Sequence, residues 1–300
     1  MIEISISTTH EKKEKHSVNV GRIFVYVALI FYAIFIVAPF LTVIVTSLTP
    51  HLQLESTVGF VWKPKPITFS AYKAVFTEDT SIIFYGYSSM LRGFFNSIWQ
   101  TCVPLVVGTF VSALAAYAYS KLNVPGKEKI YAIEIATMMI PLGAFQIVEM
   151  IFYAKLNWIG TALPLVIPGM FGSATTIFFF RSFFDGISNE ILEAAKIDGS
   201  GTVRNFFAIL VPLSIPSFMA QFILGFVSGY NNYVGPMLYL TGNHELVPIQ
   251  LAIKNLQDAF KQNDEIKCAA SIIGMLPLVI VFLSCRKFFL DGVAVGGGKE

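Results

Sequence analysis

Six long apolar runs, at about 23–48, 95–120, 130–152, 161–184, 212–234 and 269–290, constrain this chain more than any other feature. About 20 apolar residues in a helix match the roughly 30 Å hydrocarbon core of a bilayer. Each run is about that long or longer. A helix also satisfies its own backbone hydrogen bonds, as a segment in lipid must. Only 13% of the residues are charged, against about a quarter in a soluble domain. The expected fold is therefore an all-α polytopic membrane protein with about six transmembrane helices over 23–290. A tail, 1–22, would precede them and another, 291–300, would follow. Prolines and glycines within the runs (Pro39, Pro104, Pro141, Pro168, Gly225, Pro277) are tolerated better in membrane helices than in soluble ones.

Lys and Arg placement sets the expected orientation. With the N-terminus inside, thirteen Lys and Arg residues fall on the inner side and eight on the outer, most of the eight spread over the two long loops 49–94 and 235–268. Short loops dominate the positive-inside rule, and the short stretch with Lys121, Lys127 and Lys129 is strongly basic. Both termini and the 185–211 loop are thus expected in the cytoplasm of a prokaryotic cell. The polar N-terminal stretch is too long and too acidic for a signal-peptide n-region, so the first run is read as a retained span.

Several chemistries lack their residues. A net charge of +2 gives no electrostatic case for nucleic acid. Cys102, Cys268 and Cys285 have neither metal nor disulfide spacing, and the four histidines have no ligand spacing. Gly126-Lys127 and Gly298-Lys299 lack the Walker spacing, and Gly225-Phe-Val-Ser228-Gly229 misplaces a nucleophilic serine. No catalytic residue, metal or bound cofactor is expected on this chain. Glu134 and Glu149 sit toward opposite ends of the third run, and a proton relay is weighed there against an end-of-helix or interhelical polar role. The stripe Gly108, Ser112, Ala115 and Ala116 reads as helix packing, with a partner subunit as one possible neighbour.

The 185–211 loop is long and polar, yet its sequence codes for helix. Ser188 or Asn189 is a suitable cap, with Glu190 in the first turn where the helix dipole favours an acid. Ile187, Ile191, Ala194 or Ala195, and Asp198 recur on one face, small in its middle. Gly199 suits a left-handed terminating residue, and a second short helix follows with Phe206, Phe207 and Leu210 as its apolar face. Pro212 marks the turn into the membrane. On pattern alone, this could be an amphipathic loop lying on the bilayer.

The same stretch resembles the EAA loop of ATP-binding-cassette importer permeases: Glu193-Ala194-Ala195, then Asp198-Gly199, then Pro212 and Pro216. The family form is roughly Pro-x-Glu-Leu-x-Glu-Ala-Ala-x-x-Asp-Gly-Ala; here Ser188, Ile191 and Ser200 replace the proline, leucine and alanine. The likeness runs along most of the chain and points to the carbohydrate, maltose-type branch. It includes Trp62, Pro64, Thr68, Tyr72 and Phe76, Asn96-Ser97, Ala115-Ala116-Tyr117-Ala118, Met138-Met139-Ile140-Pro141 and the tail Phe288–Gly296. Where the family has Trp-Asn-Glu/Asp-Phe, this chain has Tyr230-Asn231-Asn232-Tyr233.

The resemblance implies a type I importer permease that is not itself an enzyme. Its partners would be a homologous second permease, two ATPase subunits holding ATP and Mg, and an extracytoplasmic solute-binding protein delivering a carbohydrate. Glu190, Glu193, Ala194, Ala195, Asp198 and Gly199 would meet the ATPase. Gln146, Tyr153, Ser173, Gln221, Tyr230, Asn231 and Asn232 are candidates to line a sugar path, since amides bond hydroxyls and aromatic rings stack on sugars. For each, structural hydrogen bonding is the competing account. An ion-coupled secondary transporter is the alternative function, but it calls for a buried acid–base relay and inverted repeats.

Overall fold

The computed structural model describes residues 20–77 and 88–297, with side chains at all of these except 20, 22, 142 and 287–297. Most of the predicted 1–22 tail, including Lys12, Lys13 and Lys15, lies outside the described residues, as do part of the 49–94 loop and Lys299. The tail motif Phe288–Gly296 is described in its backbone alone, which is helical.

All regular secondary structure among the described residues is helical, with no strand. In chain order the helices are α1 (Val20–Ser47), α2 (His51–Ser56), α3 (Ser70–Thr77), α4 (Ser89–Lys121), α5 (Lys127–Thr137), α6 (Gln146–Lys155), α7 (Leu163–Met170), α8 (Ala174–Asp185), α9 (Asn189–Ile197), α10 (Thr202–Asn205), α11 (Ile215–Tyr230), α12 (Val234–Tyr239), α13 (Ile249–Ala259) and α14 (Asp264–Gly297).

Four segments are long and apolar enough to cross a membrane: Ile23–Ser47, Ser89–Lys121, Leu163–Asp185 and Asp264–Arg286. A fifth combines Thr202–Leu213 with Ile215–Tyr230, bent by 75°. The third predicted span, 130–152, is not one helix. It divides into α5 and α6 around Met138–Pro141 and a 3₁₀ turn, Leu142–Phe145. Pro141 brings no N–H to the helical ladder at this point, although Pro39, Pro104 and Pro277 are carried inside unbroken helices. The fourth run is also interrupted, between α7 and α8, where Gly172 adopts φ +86°. The second helix starts at Ser89, six residues before the apolar run, because the Ser88 side chain accepts from the Met90 N–H and caps it.

At one end of the bundle, the described parts of the two long loops pack as a cap on α4, α11 and α14. Its core includes Val75, Met90, Tyr230, Ile249, Ile266 and Ala269. Polar side chains in the first turns of α4 hold it down. Asn96 Nδ2 donates to the Glu245 and Val247 carbonyls at 2.8 and 3.0 Å, Gln100 Nε2 to the Leu246 carbonyl at 2.7 Å, and the Ile249 N–H donates to Ser97 Oγ at 2.8 Å. The paired Asn96 and Ser97 therefore satisfy backbone that has no helical partner of its own.

At the opposite end, a second core joins α4 and α8 to the 185–211 loop. Tyr117, Phe180, Phe184, Leu192, Phe206 and Leu210 are all buried in it. Between the two cores, α4 passes α7 and α8 by backbone proximity. A Cβ on Gly108 would fall 2.1 Å from the Gly169 carbonyl oxygen, and one on Gly172 would fall 2.5 Å from Ser112 Oγ. The small-residue stripe of α4 thus packs within this chain. Lipid tails are as apolar as leucine, so such close approach, not burial from water, holds membrane helices together.

Candidate functional site

The 185–211 loop is an elbow with one face anchored and the other open. Ser188 Oγ accepts from the Glu190 N–H at 3.2 Å and caps α9. At the far end the Gly199 N–H donates to the Lys196 carbonyl at 3.0 Å and the Ser200 N–H to the Ala195 carbonyl at 2.8 Å. This pair of bonds is a Schellman ending, and it requires the left-handed residue that Gly199 supplies at φ +81°. The chain then re-enters the bundle through α10 and a π turn, Phe206–Leu210.

Leu192, Phe206 and Leu210 face the core, and Tyr117 donates to the Thr202 carbonyl at 3.3 Å. The root of the elbow is held by charge. Lys121 Nζ donates to the Ile187 carbonyl at 2.6 Å and to Asn189 Oδ1 at 2.8 Å. Ser120 Oγ donates to Asp185 Oδ1 at 2.5 Å. Arg181, stacked 3.9 Å over the Tyr131 ring, donates to both Glu128 oxygens at 2.9 and 2.8 Å. The last turns of α4 and α8 and the first turn of α5 therefore meet at one clamp.

The opposite face of α9 is exposed: Glu190, Ile191, Glu193, Ala194, Ile197 and Asp198, with Ala195 half-buried at its edge. Val203 and Phe207 extend this open surface, Ile197 being 88% and Val203 71% exposed. The predicted second face divides in consequence: Phe206 and Leu210 are core residues, while Phe207 points away from it. The turn back into the membrane falls at Ser214, two residues after Pro212, where Thr202–Leu213 and Ile215–Tyr230 meet at 75°.

A groove of about 400 Å³ lies between α4, α7, α8 and α11. Its polar lining includes Gln100, Thr101, Ser112, Ser173, Thr176 and Asn232. Of the residues proposed for a sugar path, only Ser173 and Asn232 are here. Asn231 faces a second cavity of about 390 Å³, with Gln250, Lys254 and Gln257, and accepts from Gln250 Nε2 at 3.0 Å. Tyr230 is buried, stacked 5.5 Å from Phe226, and donates to the Gly274 carbonyl at 2.9 Å, so it braces α11 against α14.

Tyr153 stacks on Trp158 at 5.7 Å and meets Tyr239 edge-on at 5.3 Å. Tyr239 donates to Glu149 Oε2 at 3.1 Å, which gives that acid an interhelical partner. Burial, with the carboxylate beside it, pushes the Tyr239 hydroxyl up to about 12, so it remains a donor across the working pH range. Gln146 and Gln221 line neither cavity. The hydroxyls of Thr101 and Thr176 and the Gln100 amide were not singled out from the sequence, and Ser112 was read only as part of a packing stripe. Gln100, Thr101 and Ser112 are isolated polar residues in the apolar α4, and Thr176 lies far along the chain on α8. Their common groove appears only when α4, α7, α8 and α11 are assembled.

A multi-pass helical bundle with a grooved interior and an anchored elbow at one end defines a membrane transport subunit. Residues 108–293 match the family described as "Binding-protein-dependent transport system inner membrane component". The chain belongs to that family: it is a membrane permease of a binding-protein-dependent transport system. The arabinooligosaccharides transport system permease protein AraQ of Halalkalibacterium halodurans is 27% identical over 270 residues, 90% of this chain and 93% of that protein. The sn-glycerol-3-phosphate transport system permease protein UgpE of Yersinia pestis is 34% identical over 188 residues, 61% of this chain and 65% of the relative. A crystal structure of a bacterial ABC transporter involved in the import of the acidic polysaccharide alginate shares the fold. Its matching chain has a TM-score of 0.77 at 22% identity, with 90% of this chain and 96% of that one covered.

Proposed function

We propose that this chain is one of two membrane subunits of an ATP-driven carbohydrate importer, coupled to its ATPase through the 185–211 elbow. Both termini and the elbow lie in the cytoplasm, and the cap faces outward to receive a solute-binding protein. The relatives that transport arabinooligosaccharides and sn-glycerol-3-phosphate support a sugar or sugar-derived cargo. The observation that carries the coupling role is the division of the elbow into two faces. Leu192, Phe206 and Leu210 are locked into the bundle, while Ile191, Glu193, Ala194, Ile197 and Asp198 are presented outward.

The division has a mechanical consequence. A partner that grips the outer face moves α4 and α8 with it, because the clamp of Lys121, Arg181 and Asp185 joins their ends. Glu193 and Asp198 offer charge to a cationic partner, and the small Ala194 admits close approach. The partner ATPase binds ATP and Mg; the two-state bundle shifts as its contacts differ between states. The groove with Ser173 and Asn232 supplies hydroxyl and amide groups suited to a polyhydroxylated solute.

The test is Glu193→Lys in the intact transporter. Membrane insertion and the melting temperature stay near those of the parent, since Glu193 is exposed, while ATP-dependent uptake falls and ATPase co-purification weakens. Unchanged uptake with an unchanged ATPase complex would count against the coupling role.

A further inference from the structure

The link between the elbow and α11 carries an inference that rests on the coupling role proposed above and deepens it. Residues 205–214 depart from regular helix twice in a short stretch. The Phe206 N–H is divided between the Thr202 and Val203 carbonyls, and the Val211 N–H then reaches back to the Phe206 carbonyl, closing a π turn. Such turns are rare and concentrate at functional sites. At Ser214 the chain bends by 75° into α11, and the Ser214 N–H is shared between the Leu210 and Val211 carbonyls at 3.0 and 3.1 Å. A buried polar side chain marks each irregularity. Asn205, directly before the π turn, is fully buried, and neither its Oδ1 nor its Nδ2 has a partner among the described residues. Ser214, at the bend itself, is also fully buried, and its Oγ has none.

A buried amide or hydroxyl left unpaired destabilises the arrangement that contains it. Leucine and alanine would fill the same positions without that penalty, so a single fixed packing gives these polar groups no purpose. A second arrangement gives them one. Asparagine and serine each carry both donor and acceptor, which match the backbone C=O and N–H groups that a moving π turn releases. The extra residue held in the π turn can pass to the bend at Ser214, turning the short stretch Val211–Leu213 by about 100° around its axis. We propose that residues 205–214 are the switching joint of the elbow. Asn205 and Ser214 act as positioning residues, unbonded in the arrangement described here and hydrogen-bonded in the alternate one. Their bonding differs between the two states, and that difference biases the equilibrium between them.

The test uses Ser214→Ala, which deletes one atom, and Asn205→Leu, which keeps the branched shape, in the transporter purified with its partner subunits. Melting temperatures are measured without nucleotide and after trapping with ATP and vanadate, beside ATP-driven uptake in proteoliposomes. Each substitution is expected to raise the melting temperature in one state and lower it in the other. Uptake falls about tenfold, the change in an equilibrium that one buried hydrogen bond produces. A fall in both states would mean that the two side chains are already bonded in each, for instance through buried water, and would overturn the joint. A rise in both, or no change in either, would overturn it as well, and so would opposite signs with unchanged uptake. Should Asn205→Leu fail to assemble, Ser214→Ala, which cannot overpack, decides alone. If the parent transporter shows no ATP-driven uptake, the coupling reading itself fails. If the parent transports and the two states respond alike, only the joint fails.

Discussion

Gly199 and Ser188 bracket the elbow helix, and the two residues act for different physical reasons. Ser188 supplies an acceptor to an N–H that the first turn leaves unpaired. Gly199 supplies a backbone conformation. A Cβ there would meet nothing within 4 Å, so the constraint is its φ of +81° and not space. A β-branched residue in that region costs about 1–2 kcal/mol, whereas asparagine tolerates it better. Gly199→Val is therefore expected to redirect the segment after α9 and lower ATP-coupled uptake, while Gly199→Asn retains most of it. Uptake assayed beside the thermal melt of both variants separates redirection from general unfolding. Equal uptake for the two would show that the Schellman ending does not set the elbow's direction.

Among elements, the crossing of α4 over α7 and α8 is the least forgiving contact. Gly108→Val would drive a side chain into the Gly169 carbonyl, 2.1 Å from the new Cβ, and overpacking of this kind costs at least about 1–3 kcal/mol. The expected outcome is loss of the folded bundle in detergent, read as a lowered melting temperature and poor recovery. Gly126→Ala, where no neighbour lies within 4 Å, bears only backbone strain. Elements of the elbow were legible in the sequence because their signals are local: a serine cap, an acidic first turn and a glycine stop, all within a dozen residues. The crossing was half legible. Gly108, Ser112, Ala115 and Ala116 announce close packing, but a stripe does not say which helix fills it, and the neighbour proves to be Gly169, Gly172 and Ser173 of the same chain. The interruption of the third run was hidden because Met-Met-Ile-Pro is as apolar as its flanks. Pro141 followed by Gly143 was the available warning. Tyr230 misled for a chemical reason: a tyrosine beside two asparagines looks like a solute contact, yet its hydroxyl is spent on the Gly274 carbonyl.

For the whole molecule, α4 is the member that connects the two ends. Its 33 residues make a rod about 50 Å long. Asn96, Ser97 and Gln100 grip the cap near one end, and Ser120 and Lys121 grip the elbow at the other. If the elbow is the input and the cap receives solute, this rod carries the motion between them, and loosening either grip should weaken the same relay. Asn96→Ala and Lys121→Met test that. Each removes hydrogen bonds worth about 0.5–3 kcal/mol, those from the charged Lys121 to its neutral acceptors at the upper end. The sites are 25 positions apart, roughly 37 Å along the helix, and share no partner, so their effects on melting should add to within about 0.5 kcal/mol. Their effects on solute-stimulated ATP hydrolysis should not add: once one grip is lost, losing the other removes little more. A double-mutant cycle read on both quantities decides the matter. Additivity in stability with non-additivity in stimulation identifies α4 as the transmitting rod. Additivity in both would mean that the cap and the elbow communicate by another route, with the bend at Ser214 on α11 the next place to cut.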